Sequence, residues 1–207
     1  MSTTAPPPPP QPWQPLGDSA LRRPRPPGLD VATLLARLRA HPGVLDAVVA
    51  AQDVAIYFDP QRPPVALAAL ATALERPAGP APPGRRHEIA VVYDGEDLAA
   101  VAAACGLSAE AVIALHSGQD YRVEMLGFLP GFAYLGALPE ALRLPRRAQP
   151  RPRIPASALA IGGPYTAIYP CASPGGWHLL GHAPRAELLP AGGARLQPGD
   201  RVRFLPQ

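Results

Sequence analysis

The spacing of apolar positions changes character along the chain. In LDVATLLARLRAHPG, Val31, Leu34, Leu35 and Leu38 recur at helical spacing, with Asp30 placed as N-cap and His41-Pro42-Gly43 as the stop. VLDAVVAA and DVAIYFDP follow as two strand-like runs that predict a hairpin. PVALAALATALE carries a second apolar stripe and predicts a helix over roughly 65–74. HEIAVVYDG alternates as a strand, and EDLAAVAAACG predicts a helix stopped by Gly106. Ser108 then caps a further helix in SAEAVIALHSG, with Glu110 in its first turn complementing the dipole. From Tyr121 the apolar runs become short (MLGF, ALAI, AIYP, HLLG) and are separated by Gly and Pro, down to a terminal strand RVRFL. Many short strands joined by demanding turns predict a closed or partly closed β-barrel.

Proline marks the expected boundaries. Residues 1–16 form a proline-rich stretch expected to be disordered or polyproline-like. RRPRPPG at 22–28 continues that character, so residues 16–21 are expected to seed no more than a short strand. RPAGPAPPG at 76–84 breaks the pattern again as a loop or linker. The expected organisation is a small α+β domain over 17–85 and a mostly-β domain over 86–207.

Composition narrows the chemistry. The chain has 207 residues, enough to bury a core, and no apolar run of transmembrane length, so no membrane span is expected. MSTTAPPPPPQPWQP lacks the charged and apolar regions of a secretory signal, and the expected location is the cytoplasm. The two cysteines, Cys105 and Cys171, have neither CxxC spacing nor a histidine cluster, which argues against a disulfide framework and a metal site. All 19 basic residues are arginine, so lysine Schiff-base chemistry and a Walker A loop are excluded. A net charge of +3 is too small and too dispersed for nucleic acid. The helix–turn–helix outline around AVIALHSGQDY offers no Arg or Lys to phosphates, so no nucleic-acid partner is expected.

Three stretches hold the candidate residues. GFLPGFAYLG (127–136) sets glycines beside rings, which can wall a pocket or simply close a tight loop over the core. LPRRAQPRPRIPA (144–156) holds Arg146, Arg147, Arg151 and Arg153 on an extended chain; alternation would aim Arg151 and Arg153 one way while Arg146 and Arg147 diverge. A converging pair could clamp a carboxylate or phosphate; otherwise the stretch is a charged edge strand. SPGGWHLLG (173–181) puts Trp177 after a Gly-Gly turn, as a pocket floor or a core anchor. His116 and Tyr121 flank the entry to the strand region, and His178 sits on an apolar run. No Ser-His-Asp order, suggestive carboxylate pair or HExxH motif is present.

LHSGQDYRVEMLGFLPGFAYLGALPEALRLPRRAQPRPRIPA, with AIYPCASPGGWHLLG and LQPGDRVRFLP, closely resembles the family of KipI and the B-type subunit of 5-oxoprolinase, also called allophanate hydrolase subunit 1. The resemblance covers about residues 86–206. It implies an α+β N-terminal domain followed by a mostly-β cyclophilin-like barrel. It also implies a subunit of an ATP-dependent 5-oxoprolinase, inactive alone, that converts 5-oxoproline to glutamate. The implied partners are a C-type subunit of cyclophilin-like fold and an A-type subunit, with ATP used by the complex. An alternative implied by the namesake is inhibition of a sensor histidine kinase, and another is a degenerate paralogue binding a different amide or carboxylate. The positions matching the family motifs, and so the implied substrate-binding set, are His116, Tyr121, Phe128, Pro130, Gly131, Phe132, Tyr134, Arg146, Arg147, Tyr169, Gly175, Gly176 and Trp177. The chain departs from the family pattern at Ser157, which replaces a turn glycine, at Tyr165, at His182, and in the shortened GEDL at 95–98.

Overall fold

Residues 12–62, 65–76 and 83–207 are described by the computed structural model. They fall into two compact units, Met1–Pro82 and Pro83–Gln207. In the first, strands β1 (Gln14–Pro15) and β2 (Ala20–Pro24) precede helix α1 (Val31–Arg39). Strands β3 (Asp46–Val49) and β4 (Asp53–Tyr57) and helix α2 (Leu67–Glu75) follow. The strands form an antiparallel sheet in the order β1-β2-β4-β3. The Asp30 carboxylate caps α1 by accepting from the Thr33 amide at 3.1 Å. The face predicted by spacing, Val31, Leu34, Leu35 and Leu38, is the face that is buried, and it clusters with Ala47, Val49, Val54 and Ile56 of the β3–β4 hairpin. Each such leucine is worth about 2 kcal/mol when buried, which holds a helix too short to stand alone.

Two expectations change here. Strand β2 runs on through Arg22, Arg23 and Pro24 rather than stopping before them, and Arg23 is buried with its guanidinium 5.6 Å from the Trp13 ring. An aromatic face offsets the desolvation of that charge, so the arginine does not end the strand. The proline-rich start is not irregular up to residue 16, because Gln14 and Pro15 pair with Arg22 and Leu21. Residues 1–11 and most of the 76–84 linker lie outside the described residues.

The second unit begins with β5 (Arg86–Val91), then helices α3 (Leu98–Cys105) and α4 (Ala109–Ser117). It continues with β6 (Asp120–Leu126), β7 (Ala133–Gly136), a short helical turn at Glu140–Leu142, β8 (Arg151–Ile154), β9 (Ala158–Gly162) and β10 (Tyr165–Ile168). Strands β11 (Ser173–Gly175), β12 (His178–His182) and β13 (Arg201–Pro206) complete it. Seven strands form one sheet in the order β12-β9-β10-β7-β6-β13-β5, antiparallel except for the β13–β5 pair, and β8 pairs with β11 separately. The sheet is curled, as a half-barrel. Its two edge strands meet just past β5, where Val92 and His182 exchange amide–carbonyl hydrogen bonds of 2.9 Å. A Cβ on Gly181 would overlap the Val92 carbonyl, so this close approach requires glycine.

Parity along the strands sets up the site. Leu159 and Ile161 of β9, Ile168 of β10 and Leu135 of β7 face a core shared with Val101, Ala102 and Val112 of α3 and α4. Ala158, Ala160, Ala167 and Tyr134 face the other way and cluster with Phe132, Ile154, Tyr169 and Trp177. β9 is therefore buried on both faces, and alanine on the second face leaves room for large rings.

Candidate functional site

The ring cluster is built by the β6–β7 loop and by strands whose small residues face it. Within 127–132, Leu129 N–H donates to the Gly127 carbonyl at 2.9 Å and Phe132 N–H to the Leu129 carbonyl at 3.0 Å. This tight winding needs positive φ at Phe128 (70°) and Gly131 (79°). Phe132 points inward at 1% exposure, while Phe128 stays 58% exposed. Phe132 contacts Tyr134, Tyr169 and Trp177 edge-to-face with centroids 5.0, 5.2 and 5.6 Å apart. Phe128 stands edge-on to Phe132 and Tyr169, and Tyr134 to Tyr165 and Trp177. These are the favoured geometries for aromatic quadrupoles. Two glycines admit the rings: a Cβ on Gly162 would sit 2.8 Å from the Trp177 indole, and one on Gly175 would meet the Tyr169 hydroxyl. Burial pushes the Tyr169 phenol up to about 12, partly offset by the Arg146 charge, and raises Tyr134 as well. Both hydroxyls therefore keep their protons at neutral pH and can donate.

A charged hub lies beside the rings. Arg147 N–H donates to the Gly176 carbonyl at 2.8 Å, and the Pro145 carbonyl lies 2.9 Å from His178 Nε2. The backbone on either side of Arg146 is thus tied to the two neighbours of Trp177. The Arg147 and Arg151 guanidiniums both donate to Asp97 Oδ1 at 2.8 Å, and Arg151 Nε also pairs with Glu96 at 2.7 Å. Asp97 Oδ2 accepts from the Leu179 amide at 2.7 Å. Asp97 stands at the N-cap of α3 but caps nothing with its side chain, because both oxygens are taken. Burial opposes its charge, yet the bonds from Arg151 and Leu179 and the two guanidiniums hold its carboxyl below the usual range. Arg147 Nε and Arg151 Nη1 are enclosed without a partner.

The structure therefore corrects the expected divergence of the arginines. Regular alternation fails because 145–150 is not a strand; β8 begins only at Arg151. Arg147 and Arg151 converge, and the carboxylate they clamp is the protein's own Asp97. Arg146 and Arg153 remain exposed.

Of the sequence-derived candidates, Phe128, Phe132, Tyr134, Tyr169, Gly175, Gly176 and Trp177 come together with Arg146 and Arg147. Pro130 is exposed on the same loop, and Gly131 is buried against Leu188 and Leu189. His116 and Tyr121 belong elsewhere, on the helix-side face of the sheet at 0% exposure. His116 Nδ1 lies 2.7 Å from the Tyr93 hydroxyl and Nε2 lies 2.9 Å from Thr166 Oγ1. Thr166 spends its own proton on the Ala160 carbonyl at 3.0 Å. It must accept from Nε2–H, which assigns the neutral tautomer with Nδ1 accepting from Tyr93. Burial lowers the His116 pKa from 6.5 to about 3. This histidine and Tyr121, whose hydroxyl donates to the His116 carbonyl at 2.7 Å, hold α4 to the sheet and face no solvent. Sequence reading missed Asp97, Glu96 and Gly162; two acids ahead of a helix in an arginine-rich chain were the available signal.

Among the described residues, no group of His, Cys, Asp or Glu could hold a metal ion. No single described helix is long and apolar enough to cross a membrane.

Comparison with known proteins agrees with this architecture. The 5-oxoprolinase B-type subunit of Escherichia coli O157:H7 is 54% identical over 131 residues, covering 61% of this chain and 60% of the relative. That from Haemophilus influenzae is 47% identical, covering 59% of this chain and 60% of the relative; the Bacillus subtilis protein of the same name is 44% identical, covering 57% and 51%. The matches thus span 51–60% of these relatives' lengths. Among solved structures, the conserved uncharacterized protein PH0987 from Pyrococcus horikoshii superposes with TM-score 0.57 at 30% identity over 94% of this chain and 97% of that one. The Kluyveromyces lactis urea amidolyase shares the fold at TM-score 0.68 and 15% identity, over 94% of this chain and 15% of that one. The matching family model, carboxyltransferase domain, subdomain C and D, takes in residues 25–187. The chain belongs to that carboxyltransferase-domain family, and within it resembles the B-type subunit of 5-oxoprolinase.

Proposed function

We propose that this chain is one subunit of an ATP-dependent amidolyase-type assembly that opens the lactam of 5-oxoproline to give glutamate. The observation that carries the reading is its 44–54% identity to three proteins named as the B-type subunit of 5-oxoprolinase. The geometry is in keeping with it: a platform of rings beside an exposed guanidinium suits a small planar amide, and the phenols are protonated donors. In the reaction, water adds to the lactam carbonyl and the C–N bond breaks, while ATP hydrolysis to ADP and phosphate drives the step. In this chain Phe128, Phe132, Tyr134, Tyr169 and Trp177 shape the seat. Gly131, Gly175 and Gly176 let the backbone close around it, and Asp97 fixes Arg147 and Arg151. The seven-stranded half-barrel is cyclophilin-like, preceded by an α+β domain over 17–85. The partners are a C-type subunit of similar fold and an A-type subunit, and ATP is used by the complex.

Reconstitution tests this. Co-purification with the two partner subunits, followed by assay with 5-oxoproline and ATP, is expected to release glutamate only when all components are present. A stable complex without turnover, or full turnover by this chain alone, overturns the reading.

A further inference from the structure

Four arginines crowd the 146–153 stretch, and their partners divide them. Arg147 and Arg151 are neutralised by Asp97 and Glu96, at 2.7–2.8 Å. Of the donors these arginines leave over, Arg147 Nε and Arg151 Nη1 are enclosed without a partner. Arg146 is exposed and has no acid partner among the described residues. Its backbone is held on both sides, by Pro145 through His178 and by Arg147 through Gly176, the two neighbours of Trp177. Its charge is felt at the Tyr134 and Tyr169 phenols. Arg153, also exposed, lies toward the Ser173 end of the β8–β11 pair, so beside Gly175 and Gly176 three arginines, Arg146, Arg147 and Arg151, are set against Asp97 and Glu96 and leave one positive charge.

We propose that Arg146, with the half-buried Tyr134 hydroxyl, is the seat for a single carboxylate on a small planar ligand whose body lies on the Tyr134 and Phe128 rings. The Arg147 and Arg151 charges are already paired with Asp97 and Glu96, and that hub serves to position this seat. One net positive charge matches a carboxylate monoanion and leaves a phosphate dianion half unpaired. A guanidinium and a phenol offer N–H and O–H donors to the two carboxylate oxygens. The rings supply apolar area for the remainder of the ligand. The inference deepens the lactam reading above and borrows its probe from it.

Calorimetric titration of the full chain with 5-oxoproline, pyrrolidinone (the same ring without the carboxylate) and inorganic phosphate tests the seat. 5-Oxoproline is expected to bind, and the loss of either member of the ion pair, by Arg146→Gln or by use of pyrrolidinone, is expected to weaken binding about tenfold or more. Arg185→Gln removes the same charge from an exposed site elsewhere and should leave the affinity intact. Because Arg146 is exposed, the R146Q protein should melt with the wild type. Asp97→Asn separates the two sites for an anion: if the Arg147–Arg151 pair were the seat, freeing it would tighten binding, whereas no tightening is expected. Absence of 5-oxoproline binding, wild-type affinity in R146Q, equal binding of phosphate, or tighter binding in D97N overturns the proposal. The two readings fail separately. Binding lost in R146Q without turnover in the reconstituted assembly keeps the seat and sinks the lactam-opening reading. Unchanged glutamate release by an R146Q assembly does the reverse.

Discussion

The two faces of β10 each hold polar groups among aromatic rings, and they satisfy them in opposite ways. On the helix side, Thr166 meets His116, which is stacked on Phe204 at 5.0 Å and bonded at both ring nitrogens. Nothing there is exposed and no donor is left over, so the group is fixed as one neutral tautomer. On the other face, Tyr165 and Tyr169 join Tyr134 and Trp177 beside Arg146, which is exposed, and Arg147 and Arg151, which carry enclosed N–H groups without a partner. A sealed polar group stabilises by being complete. One left open at the surface adds little to the fold and remains available to a ligand.

That contrast is broken most severely at His116. Replacing it with Ala leaves a buried cavity and takes a partner from both the Tyr93 and the Thr166 hydroxyls, so unfolding stability should drop by about 4 kcal/mol. Urea denaturation reads this directly. The same residue sets the acid response. An unfolded chain takes up the imidazole proton near pH 6.5, the folded chain only near 3, so acid favours unfolding. Its contribution is complete above 6.5 and is lost by about 1.4 kcal/mol per pH unit on the way down to about 3. Asp97 acts in a lower window: its stabilisation stands above the ordinary 3.8 and is lost as pH falls through its depressed folded value. A variant lacking His116 should show a flatter stability–pH curve between those limits, while one lacking Asp97 keeps that slope.

Asp97→Ala removes three side-chain hydrogen bonds where His116→Ala removes two, yet the expected loss is smaller, about 2–3 kcal/mol. The Arg147 side chain is 35% exposed and can rehydrate, and Arg151 keeps Glu96. Equal losses at the two positions would mean that the ring face is as closed as the helix face, and would remove the distinction.

How far the sequence revealed this arrangement depends on the range of each interaction. The buried face of α1 was legible because its four apolar residues follow the helical period within one segment. The glycine–aromatic motifs were legible as a group for the same local reason. β9 was harder: with both faces buried its polarity does not alternate, and only the small–large rhythm of Ala158, Leu159, Ala160 and Ile161 records two environments. His116 was grouped with the pocket residues because nothing in the one-dimensional pattern says which face of a sheet a helix will cover. Asp97 was invisible because its partners stand 50, 54 and 82 residues away. Alternation fails for the arginines because residues 145–150 form no strand.

The smallest effect on stability is expected at Phe128, where the ring face reaches furthest into solvent. A bulky residue at φ 70° carries about 1–2 kcal/mol of steric strain, and its ring, 58% exposed, recovers little by burial. Glycine would relieve the strain but lose the edge contacts with Phe132 and Tyr169 and loosen the unfolded chain. These terms nearly cancel, so Phe128→Gly should shift unfolding stability by no more than about 1 kcal/mol. The same variant should weaken 5-oxoproline binding several-fold in calorimetry, because the ring covers the ligand rather than the core. A large drop in stability with affinity unchanged would make Phe128 part of the packing, and the ring face would then be a second core.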